Sequence, residues 1–542
     1  MSIPALLLSS FVISVTALLF FIWSLRRGLL DPDPEAAKVI FSEDEIGTVE
    51  EPAIGSSDEQ GLQRSLHAKR PSPQSLPELQ ARLAADQSTA GPAFVLLASA
   101  VLWLVLGSFA GLISSIKLHQ PDWLNQVAWL SFGRLRTLHL NVVAYGWAPM
   151  ATLGTALWMM PRLLKTKLLG GRVAIAGAVL WNLGLTLGLA LIATGHNEGM
   201  EWLEIPWQVG LAFVVSGAMV GLPLVLTLQR RQVEHLYVSI WYMGAALFWF
   251  PVLYFVAKMP GVHFGVEAAT MNWWFGHNVL GLFYTPLSLA AIYYFLPKVI
   301  GRPIQSYNLS LIGFWALAFF YGQVGGHHLI GGPVPEWLIT LSIVQSVMMF
   351  VPVLAFSVNQ HLTMRGHFVA LRHSPTLRFI VLGGMMYTLS SVQGSFEALR
   401  AVNTVTHFTH FTVAHAHLGM YGFVSMVMFG AMYFSMPRIV SREWPFPSLI
   451  ALHFWLVVIG FAIYFVTLTI GGLLQGFRML DETQPFIESV RVTLPWLQGR
   501  SIGGLLMTLG HLVFAGHFVA MALGLGPARS GAVLLRPNPR TA

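Results

Sequence analysis

The stretch T-V-T-H-F-T-H-F-T-V-A-H-A-H-L-G-M-Y-G, residues 404–422, decides both the fold and the chemistry of this chain. It opens a long apolar segment and carries His407, His410, His415 and His417. Histidine is costly inside a membrane-length helix, so its presence there indicates a function. His415 and His417 are two residues apart, about 200° on a helix, so their imidazoles leave opposite faces. This spacing favours two metal centres, one on each side of the helix. Core histidines hydrogen-bonded to neighbouring helices are the alternative.

Length and composition indicate a polytopic membrane protein. The 542 residues are 55% hydrophobic and only 10% charged, and the mean hydropathy is +0.64. Cysteine is absent, which excludes disulfides, thiolate metal sites and covalently attached c-type haem. A metal must therefore be held by histidine and oxygen ligands. The net charge of +7 does not indicate nucleic-acid binding, because the basic residues cluster beside the apolar segments on alternate loops.

The chain begins with a segment that differs from the rest. Residues 4–26 are apolar and end at Arg26 and Arg27, which predicts an uncleaved anchor helix within a domain at 1–27. Residues 28–92 are acidic and contain proline and serine, which is typical of a largely unstructured cytoplasmic linker with a short helix near 76–85. We expect a tether there. A catalytic domain is predicted at 93–525, and a cytoplasmic tail at 526–542.

The region 93–525 predicts an all-α fold, a polytopic membrane helix bundle of twelve core transmembrane helices plus the amino-terminal anchor. The predicted core spans are 93–115, 137–160, 172–194, 206–228, 236–257, 268–297, 306–325, 334–357, 376–396, 405–436, 447–472 and 503–525. Lys and Arg are concentrated in the loops on one side, which the positive-inside rule makes cytoplasmic. His415 and His417 therefore lie near the outer end of the tenth core helix.

A histidine on a second helix lies at the same depth as His417. His139 begins the second core helix from the outside, so His139 and His417 can clamp a porphyrin iron from both faces. Arg134 and Arg136 precede His139 at the same end. Their guanidinium groups suit the anionic propionates of a haem, while ordinary snorkelling to lipid headgroups is the alternative.

Three further histidines lie on the outer side. His277 is one to two turns into the sixth core helix, and His327 and His328 follow the seventh. Three imidazoles suit copper with one position left open. Adjacent histidines cannot point the same way in a regular helix, so we expect the glycines at 322–326 to loosen the backbone. Tyr321 lies about two turns before His328 and can supply a proton and an electron beside the metal; a buried tyrosine with a satisfied hydroxyl is the alternative.

These residues occur in motifs that resemble subunit I of the haem–copper oxygen reductases, specifically the cbb-type (C-family) cytochrome c oxidases. The resemblance covers about residues 93–525. The matching stretches are F-G-R-L-R-T-L-H at 132–139, W-W-F-G-H-N at 273–278, Y-Y-F-L-P-K at 293–298, F-W-A-L at 314–317, Y-x5-H-H at 321–328 and V-x-H-x-H at 413–417.

The resemblance implies a ligand set and an active-site tyrosine. It implies low-spin haem b on His139 and His417, high-spin haem b on His415, copper on His277, His327 and His328, and Tyr321 as the tyrosine that the family cross-links to its copper histidine, here His277. It also implies roles for residues around the metals: Asn403 and His407 near haem propionates, Glu201 and Glu204 near a calcium ion, and Tyr293, Tyr294 and Ser310 on a proton path to Tyr321.

Two features stand apart from that pattern. Residues 4–46 resemble the small single-helix assembly factor that accompanies these oxidases, fused in front of subunit I. Gln393 stands where the family has a glutamate, and glutamine cannot relay a proton as an acid. Glu397 lies one turn further on the same helical face. We expect either that Glu397 takes over the acidic role or that proton delivery is altered.

The resemblance implies a terminal oxidase that reduces dioxygen to water in the bacterial inner membrane, with proton uptake and translocation. Its electrons would come from cytochrome c through membrane-anchored c-type cytochrome subunits, because this chain has no cysteine. A nitric oxide reductase of the same superfamily is one alternative, but that branch carries a glutamate at the position of Gly281 and lacks Tyr321. A non-catalytic haem conduit or sensor, favoured only by Gln393, is the other.

The remaining histidines are predicted to be structural or interfacial: His196, His235, His263, His361, His367, His373, His453, His511 and His517. The sequence leaves the role of His410 open.

Overall fold

The computed structural model describes residues 76–527, together with 34–41, 45–47, and positions 12, 15–16, 19, 22–24 and 26–27. The described positions from 12 to 26 are helical. The rest of the predicted anchor, most of the predicted linker and nearly all of the predicted tail lie outside the described residues. Within the described ranges the chain forms helices and connecting loops, with no β-strand. An all-α chain follows from its composition, because a lipid environment requires every backbone polar group to be bonded within its own segment.

The first half of the bundle contains α1 Leu76–Lys117, α2 Phe132–Val142, α3 Ala148–Leu163, α4 Gly171–Thr194, α5 Trp207–Gln229, α6 Val238–Ala257, α7 Gly265–Val279 and α8 Thr285–Ile300. The second half contains α9 Tyr307–Phe320, α10 Glu336–Met348, α11 Phe350–Met364, α12 Pro375–Glu397, α13 Arg400–Thr406, α14 His410–His417, α15 Met426–Val440, α16 Pro447–Met479, α17 Ile487–Arg491 and α18 Leu494–Ala522. Short 3-10 helices lie at Pro34–Lys38, Ala128–Leu130, Tyr321–Leu329 and Phe368–Arg372.

The helices match the predicted membrane spans. In the described part of the chain, 10 helices are long and apolar enough to cross a membrane. The two other predicted spans are also occupied by long helices, 132–163 and Pro375–Glu397, which are less apolar than the rest. Helices therefore stand at all twelve predicted core positions, and the chain is an integral membrane protein.

Three π-helical segments occur in the described residues, at Val143–Trp147, Leu280–Tyr284 and Leu418–Ser425. Each directly follows a helix that carries predicted metal ligands: α2 with His139, α7 with His277, or α14 with His415 and His417. Such segments are rare and occur mostly at functional sites, where they change which face of a helix points inward. The apolar pattern of the sequence did not predict them.

The tenth predicted span, 405–436, differs from the structure at its outer end. Helix α13 ends at Thr406 and α14 begins at His410, so the span starts with a break. Phe408 within the break has a φ of 60°, which is uncommon for a residue other than glycine. Its side chain is 81% exposed, while the ring of His407 stacks on it with centroids 3.9 Å apart. The break turns His407 and Thr409 toward the interior of the bundle.

The boundary predicted at residue 93 is not a helix boundary. Helix α1 begins at Leu76, so the last part of the predicted linker forms its first turns. The described residues 34–41 and 45–47 also pack against the bundle, and Ala36, Ala37, Ile40 and Phe41 are buried. These parts of the segment are structured because their apolar side chains and one carboxylate find partners on distant helices.

Two glycines bring α16 and α18 into close contact. A Cβ at Gly460 would lie 2.8 Å from the carbonyl oxygen of Gly503, and a Cβ at Gly503 would lie 2.6 Å from that of Gly460. Small residues allow this approach between membrane helices, where packing replaces the hydrophobic effect as the main attraction. The contact positions Tyr464 of α16 and Arg500 of α18 beside His417.

Candidate metal centres

Three histidines from two segments converge at the outer half of the bundle. The ligand atoms of His277, His327 and His328 all lie within 4.8 Å of one another, and they form the one group of its kind found in the described residues. The Nε2 atoms of His277 and His328 are 2.7 Å apart. Nδ1 of His327 is 3.0 Å from the hydroxyl of Ser346, which fixes that ring and leaves its other nitrogen for a metal.

The segment Tyr321–Leu329 is a 3-10 helix, and this conformation lets both adjacent histidines face His277. Their ring centroids lie 4.7 Å and 4.8 Å from that of His277. The segment packs so closely on α7 that a Cβ at Gly325 would overlap the carbonyl oxygen of Trp273. The ring of Trp273 stacks on His328 with centroids 3.9 Å apart. The segment is not a regular α-helix, as expected, and the absence of a side chain at Gly325 permits its close packing on α7; that the glycines loosen the backbone stays a prediction.

Tyr321 lies beside this histidine group. Its hydroxyl is 3.4 Å from Nδ1 of His277. Its ring occupies the space next to Gly281, where an added Cβ would overlap the ring carbons. The phenol is therefore held between the histidine group and the π-helical segment that follows α7.

His139 and His417 face each other across a second site. Their rings are nearly parallel, at 11°, with centroids 6.3 Å apart. Nδ1 of His139 is 2.8 Å from the carbonyl oxygen of Gly107, and Nδ1 of His417 is 2.9 Å from that of Val413. Because these backbone bonds hold Nδ1 of both rings, Nε2 is the atom of each ring that would bind a metal between them. Nε2 of His417 also lies 3.1 Å from the hydroxyl of Tyr464, which would have to give way to a metal.

His415 lies on the other face of α14. Its ring packs against Gly394 of α12, where an added Cβ would lie 2.8 Å from Cε1. Nδ1 of His415 is buried and has no hydrogen-bond partner among the described residues. The expected division of His415 and His417 between opposite faces of one helix is confirmed.

One cavity connects both sites. It has a volume of about 480 Å³, and its wall includes all six of these histidines, His139, His277, His327, His328, His415 and His417. A second cavity of about 150 Å³ adjoins the His139–His417 pair. Six imidazoles around connected internal space fit two haems and one copper ion. The paired His139 and His417 match bis-histidine haem ligation, and the group of three matches a three-histidine metal site.

The residues predicted to contact haem propionates differ in their placement. Arg136 lines the large cavity and pairs with Glu201, and His407 also lines it. Arg134 is not in the cavity wall; its Nη1 donates to the carbonyl oxygen of Ala193. Asn403 is buried outside the wall, with its amide donating to the carbonyl oxygen of Glu397.

Arg500 is a cation at the site that was not among the predicted site residues. It lines both cavities, and its Nε donates to the hydroxyl of Tyr464 at 3.1 Å. That hydroxyl lies 3.1 Å from Nε2 of His417. A single arginine in an apolar helix near its outer end was the available signal, because intramembrane charge indicates function by default. His410 also lines the large cavity.

Glu201 and Glu204 bind protein partners. Glu201 pairs with Arg136, and Glu204 accepts from Nδ2 of Asn141 at 2.8 Å. Burial raises the pKa of Glu204, and the hydrogen bond from Asn141 opposes that rise. Both belong to the outer loop after α4, whose Trp202 borders both cavities. A calcium ion at this loop stays a prediction.

The residues predicted to form a proton path, Tyr293, Tyr294 and Ser310, are not in the wall of the large cavity. Tyr294 accepts from Nε of Arg162 at 3.0 Å, and Ser310 donates to the carbonyl oxygen of Tyr307 at 2.5 Å. The hydroxyls of Tyr293, Tyr242 and Tyr387 are buried; that of Tyr293 lies near the side chain of Asn359 and that of Tyr387 near Ser391. Tyr387 is in the cavity wall with Tyr321.

Glu397 is buried at the end of α12, 4% exposed. Its Oε1 accepts from the hydroxyl of Thr412 at 2.6 Å, and Thr412 is in the cavity wall. Gln393 lies one turn earlier, and its Oε1 has no partner among the described residues.

Three histidines that were predicted to be structural are buried within the bundle: His453, His511 and His517. Tyr433 bonds His453, the backbone amide of Phe446 donates to His517, and His511 lies between Ser108 and Tyr421. His511 also lines the smaller cavity.

The chain matches the family described as cytochrome c and quinol oxidase polypeptide I over residues 92–506. The cbb3-type cytochrome c oxidase subunit CcoN1 of Stutzerimonas stutzeri is 32% identical over 431 residues, covering 77% of this chain and 91% of that protein. The cytochrome c oxidase subunit 1 homolog of Agrobacterium tumefaciens is 30% identical, covering 81% of this chain and 85% of that protein.

More distant relatives show the breadth of the similarity. A nitric oxide reductase protein of Stutzerimonas stutzeri is 26% identical, covering 72% of this chain and 84% of that protein. A cryo-EM structure of a haem–copper terminal oxidase dimer aligns with a TM-score of 0.66 at 16% identity, covering 82% of this chain and 86% of that one. At this identity the structural match shows the fold alone.

Proposed function

This chain belongs to the cytochrome c and quinol oxidase polypeptide I family, and from that premise we propose that it is the catalytic subunit of a cbb3-type terminal oxidase. The proposed reaction is the reduction of dioxygen to water with electrons from cytochrome c, coupled to proton uptake and translocation at a bacterial inner membrane. The observation that carries the proposal is the convergence of six histidines, from four separate stretches of the chain, on one cavity.

The residues fit the metal groups that the family implies. His139 and His417 would hold a low-spin haem, His415 a high-spin haem, and His277, His327 and His328 a copper ion. The unpartnered Nδ1 of His415 and the backbone-anchored Nδ1 atoms of His139 and His417 leave these rings ready to bind a metal. When bound, these groups supply the electrons and the place where dioxygen is reduced. That both haems are of the b type rests on the resemblance to cbb-type enzymes.

Helix α14 sets the relation between the two haem sites. Because His415 and His417 leave opposite faces of one helix, the two sites are separated by a single helix. Such close, fixed spacing suits the transfer of electrons from one site to the other.

Tyr321 is positioned to hold a proton at the reacting site. Its hydroxyl lies 3.4 Å from the nearest copper histidine and faces the same cavity as His415. Protons need a polar route through the bundle, since hydrocarbon does not conduct them. The buried hydroxyls of Tyr242, Tyr293 and Tyr387 support a route that reaches the cavity through Tyr387. Tyr294 and Ser310 are hydrogen-bonded to Arg162 and Tyr307, and their place on the route belongs to the same proposal.

Gly281 and Tyr321 favour oxygen reduction over nitric oxide reduction. A glutamate at position 281 would need the space that the Tyr321 ring fills. The chain therefore cannot combine this tyrosine with the acidic residue of the reductase branch without a rearrangement of the site.

The partners of the chain follow from its composition. Covalent c-type haem needs cysteine, and the sequence has none. We propose that membrane-anchored c-type cytochrome subunits deliver the electrons. Calcium at the loop of Glu201 and Glu204 belongs to the same proposal, and its partners there, Arg136 and Asn141, would have to share these carboxylates.

The proposal is tested by oxygen consumption of the purified complex with reduced cytochrome c. Tyr321→Phe should slow it by at least about 100-fold, because a positioned proton donor contributes about 10²–10⁴. Tyr433→Phe is the matched control, since Tyr433 bonds His453 away from the cavity; it should retain activity. Undiminished oxygen consumption by Tyr321→Phe, or turnover of nitric oxide alone by the wild type, would contradict the proposal.

A further inference from the structure

Two buried cations lie at the end of the bundle that the charge pattern predicts to be cytoplasmic. The side chain of Arg162, in the last turn of α3, is 4% exposed, and that of Lys298, near the end of α8, is 3% exposed. Both lie within the region that matches the family, residues 92–506. A buried charge without a partner is strongly destabilising, so each of these cations requires a counter-charge.

Both counter-charges come from the chain before residue 92. The two carboxylate oxygens of Asp86, in α1, accept from Nη1 of Arg162 at 2.6 Å and 2.7 Å. Glu45 accepts from Nζ of Lys298 at 2.8 Å. The same carboxylate pairs with Arg82, another α1 residue, through both of its oxygens. The part of the chain outside the family match therefore neutralises charges inside it.

We use the name docking segment for the described residues among 34–47. Four of its apolar side chains are buried, those of Ala36, Ala37, Ile40 and Phe41, whereas Ile46 is exposed. The ring centroid of Phe41 lies 4.9 Å from Nζ of Lys298. The backbone amide of Gly47 donates to the carbonyl oxygen of Gly301, just beyond α8, at 2.7 Å. An ion pair, a cation–π contact, apolar burial and a backbone hydrogen bond thus coincide at the end of α8.

The charge state of Glu45 agrees with this geometry. Burial alone would raise the pKa of Glu45, but Lys298 and Arg82 outweigh burial and hold that pKa well below its usual range. The carboxylate is therefore ionised at every physiological pH.

We propose that Lys298, Arg82 and the end of α8 form a receptor for an acidic segment, and that its occupant is the docking segment of this same chain. The docking segment is then an integral part of the folded enzyme, held by its own contacts as a separate subunit would be. Glu45 is the residue that determines where the docking segment binds, because its carboxylate pairs with both Lys298 and Arg82. This binding is independent of the reaction that the metal centres perform.

The test is to cut the connection in the intact protein. A protease recognition sequence is inserted between residues 51 and 75 of the full-length chain, and the purified complex is cleaved and passed through a sizing column in detergent. The amino-terminal fragment should stay bound in the wild type and be lost from Glu45→Gln. Glu35→Gln is the matched control, because Glu35 lies in the same segment, is 67% exposed and pairs with Lys38 at the surface; it should retain the fragment.

Release of the wild-type fragment would overturn the proposal, as would equal retention by Glu45→Gln and Glu35→Gln. A second comparison, of melting temperatures, tests the same interaction even where Glu45→Gln folds too poorly for the cleavage experiment. In the uncut protein, Glu45→Gln should lower the melting temperature, and adding Lys298→Met should restore part of the loss by removing one unpaired cation. A double variant that loses the sum of both single effects would contradict a direct interaction.

Discussion

At the residue scale, Gly281 and Tyr321 share one small volume next to the group of His277, His327 and His328. The glycine has no side chain where the phenol ring needs space, and the ring in turn brings its hydroxyl within 3.4 Å of His277. A change at either position should therefore act on the other. The position of the Tyr321 hydroxyl therefore depends on the absence of a side chain at position 281.

Gly281→Ala should displace Tyr321 although it adds only one methyl group. Overpacking of a tight interior costs about 1–3 kcal/mol, so we expect a lower melting temperature together with a loss of oxygen consumption. Gly244→Ala is the control, because nothing lies within 4 Å of a Cβ at that position. It should be neutral or slightly stabilising, since alanine favours helix. A fully active Gly281→Ala enzyme would show that Tyr321 is not held as described.

Arg500 gives a prediction about the low-spin haem. A positive charge beside a haem favours its reduced form, so Arg500→Gln should lower the midpoint potential of that haem by tens of millivolts, where about 59 mV is tenfold for one electron. A spectroscopic redox titration measures this directly. Lys117→Gln is a control on the same outer side, since Lys117 bonds Asn125 away from both cavity walls. An unchanged or raised potential in Arg500→Gln would be inconsistent with the placement of its charge.

Single residues also show what the sequence could reveal. The six histidines were predictable because imidazole inside membrane-length segments is costly and because the positive-inside rule places them at one depth. Tyr464, Arg500 and Ser346 were not predicted. Their roles depend on which distant helices touch, as at the Gly460–Gly503 contact, and no spacing within one helix encodes such contacts.

At the element scale, the ligand-bearing helices α2, α7 and α14 each run into a π-helical segment. A widened turn rotates the following residues relative to the ligands, so the same helix can present histidines to the metals and a different face to its neighbours. The hydrophobic pattern cannot predict this, because every face of these buried stretches is apolar. The break at Phe408 was not predicted either, because no sequence pattern indicates a positive φ at a phenylalanine.

Helix α12 carries the acid that we expect to compensate for Gln393. Glu397 is buried and bonded to Thr412 of the cavity wall, so Glu397→Gln should slow oxygen consumption by at least about tenfold, at the low end for a proton-transfer group. Glu336→Gln is the matched control, because Glu336 is exposed and pairs with Arg400 at the surface. Unchanged turnover and proton uptake in Glu397→Gln would remove Glu397 from the proton pathway.

At the scale of the whole molecule, the fold was predictable and its amino-terminal packing was not. Twelve apolar stretches with alternating loop charge specify a bundle, whatever the details of packing. The predicted linker was judged by its composition, which is acidic and poor in apolar runs. The packing of its described parts depends on Lys298 and Arg162, which lie far away in the sequence, so composition alone assigned too little structure to those parts.

The docking segment predicts how stability depends on pH. A carboxylate whose pKa is lowered by folding stabilises the protein fully above its unfolded pKa, about 4.3 for glutamate, and that contribution is lost as the pH falls below it. The difference in melting temperature between wild type and Glu45→Gln should therefore be constant from about pH 7 to about pH 5, where both Glu45 and its partner Lys298 are charged, and shrink in more acidic buffer. A difference that instead grows as the pH falls from about 5 to about 3 would contradict a lowered pKa.

The most direct measurement of the central claim is the ratio of copper to b-type haem in the purified complex, combined with a reduced-minus-oxidised spectrum in carbon monoxide. Six histidines on one cavity predict one copper for two b-type haems, of which one binds carbon monoxide, the haem on His415. Haem without copper, or extra non-haem iron in its place, would contradict the assignment of His277, His327 and His328 to copper.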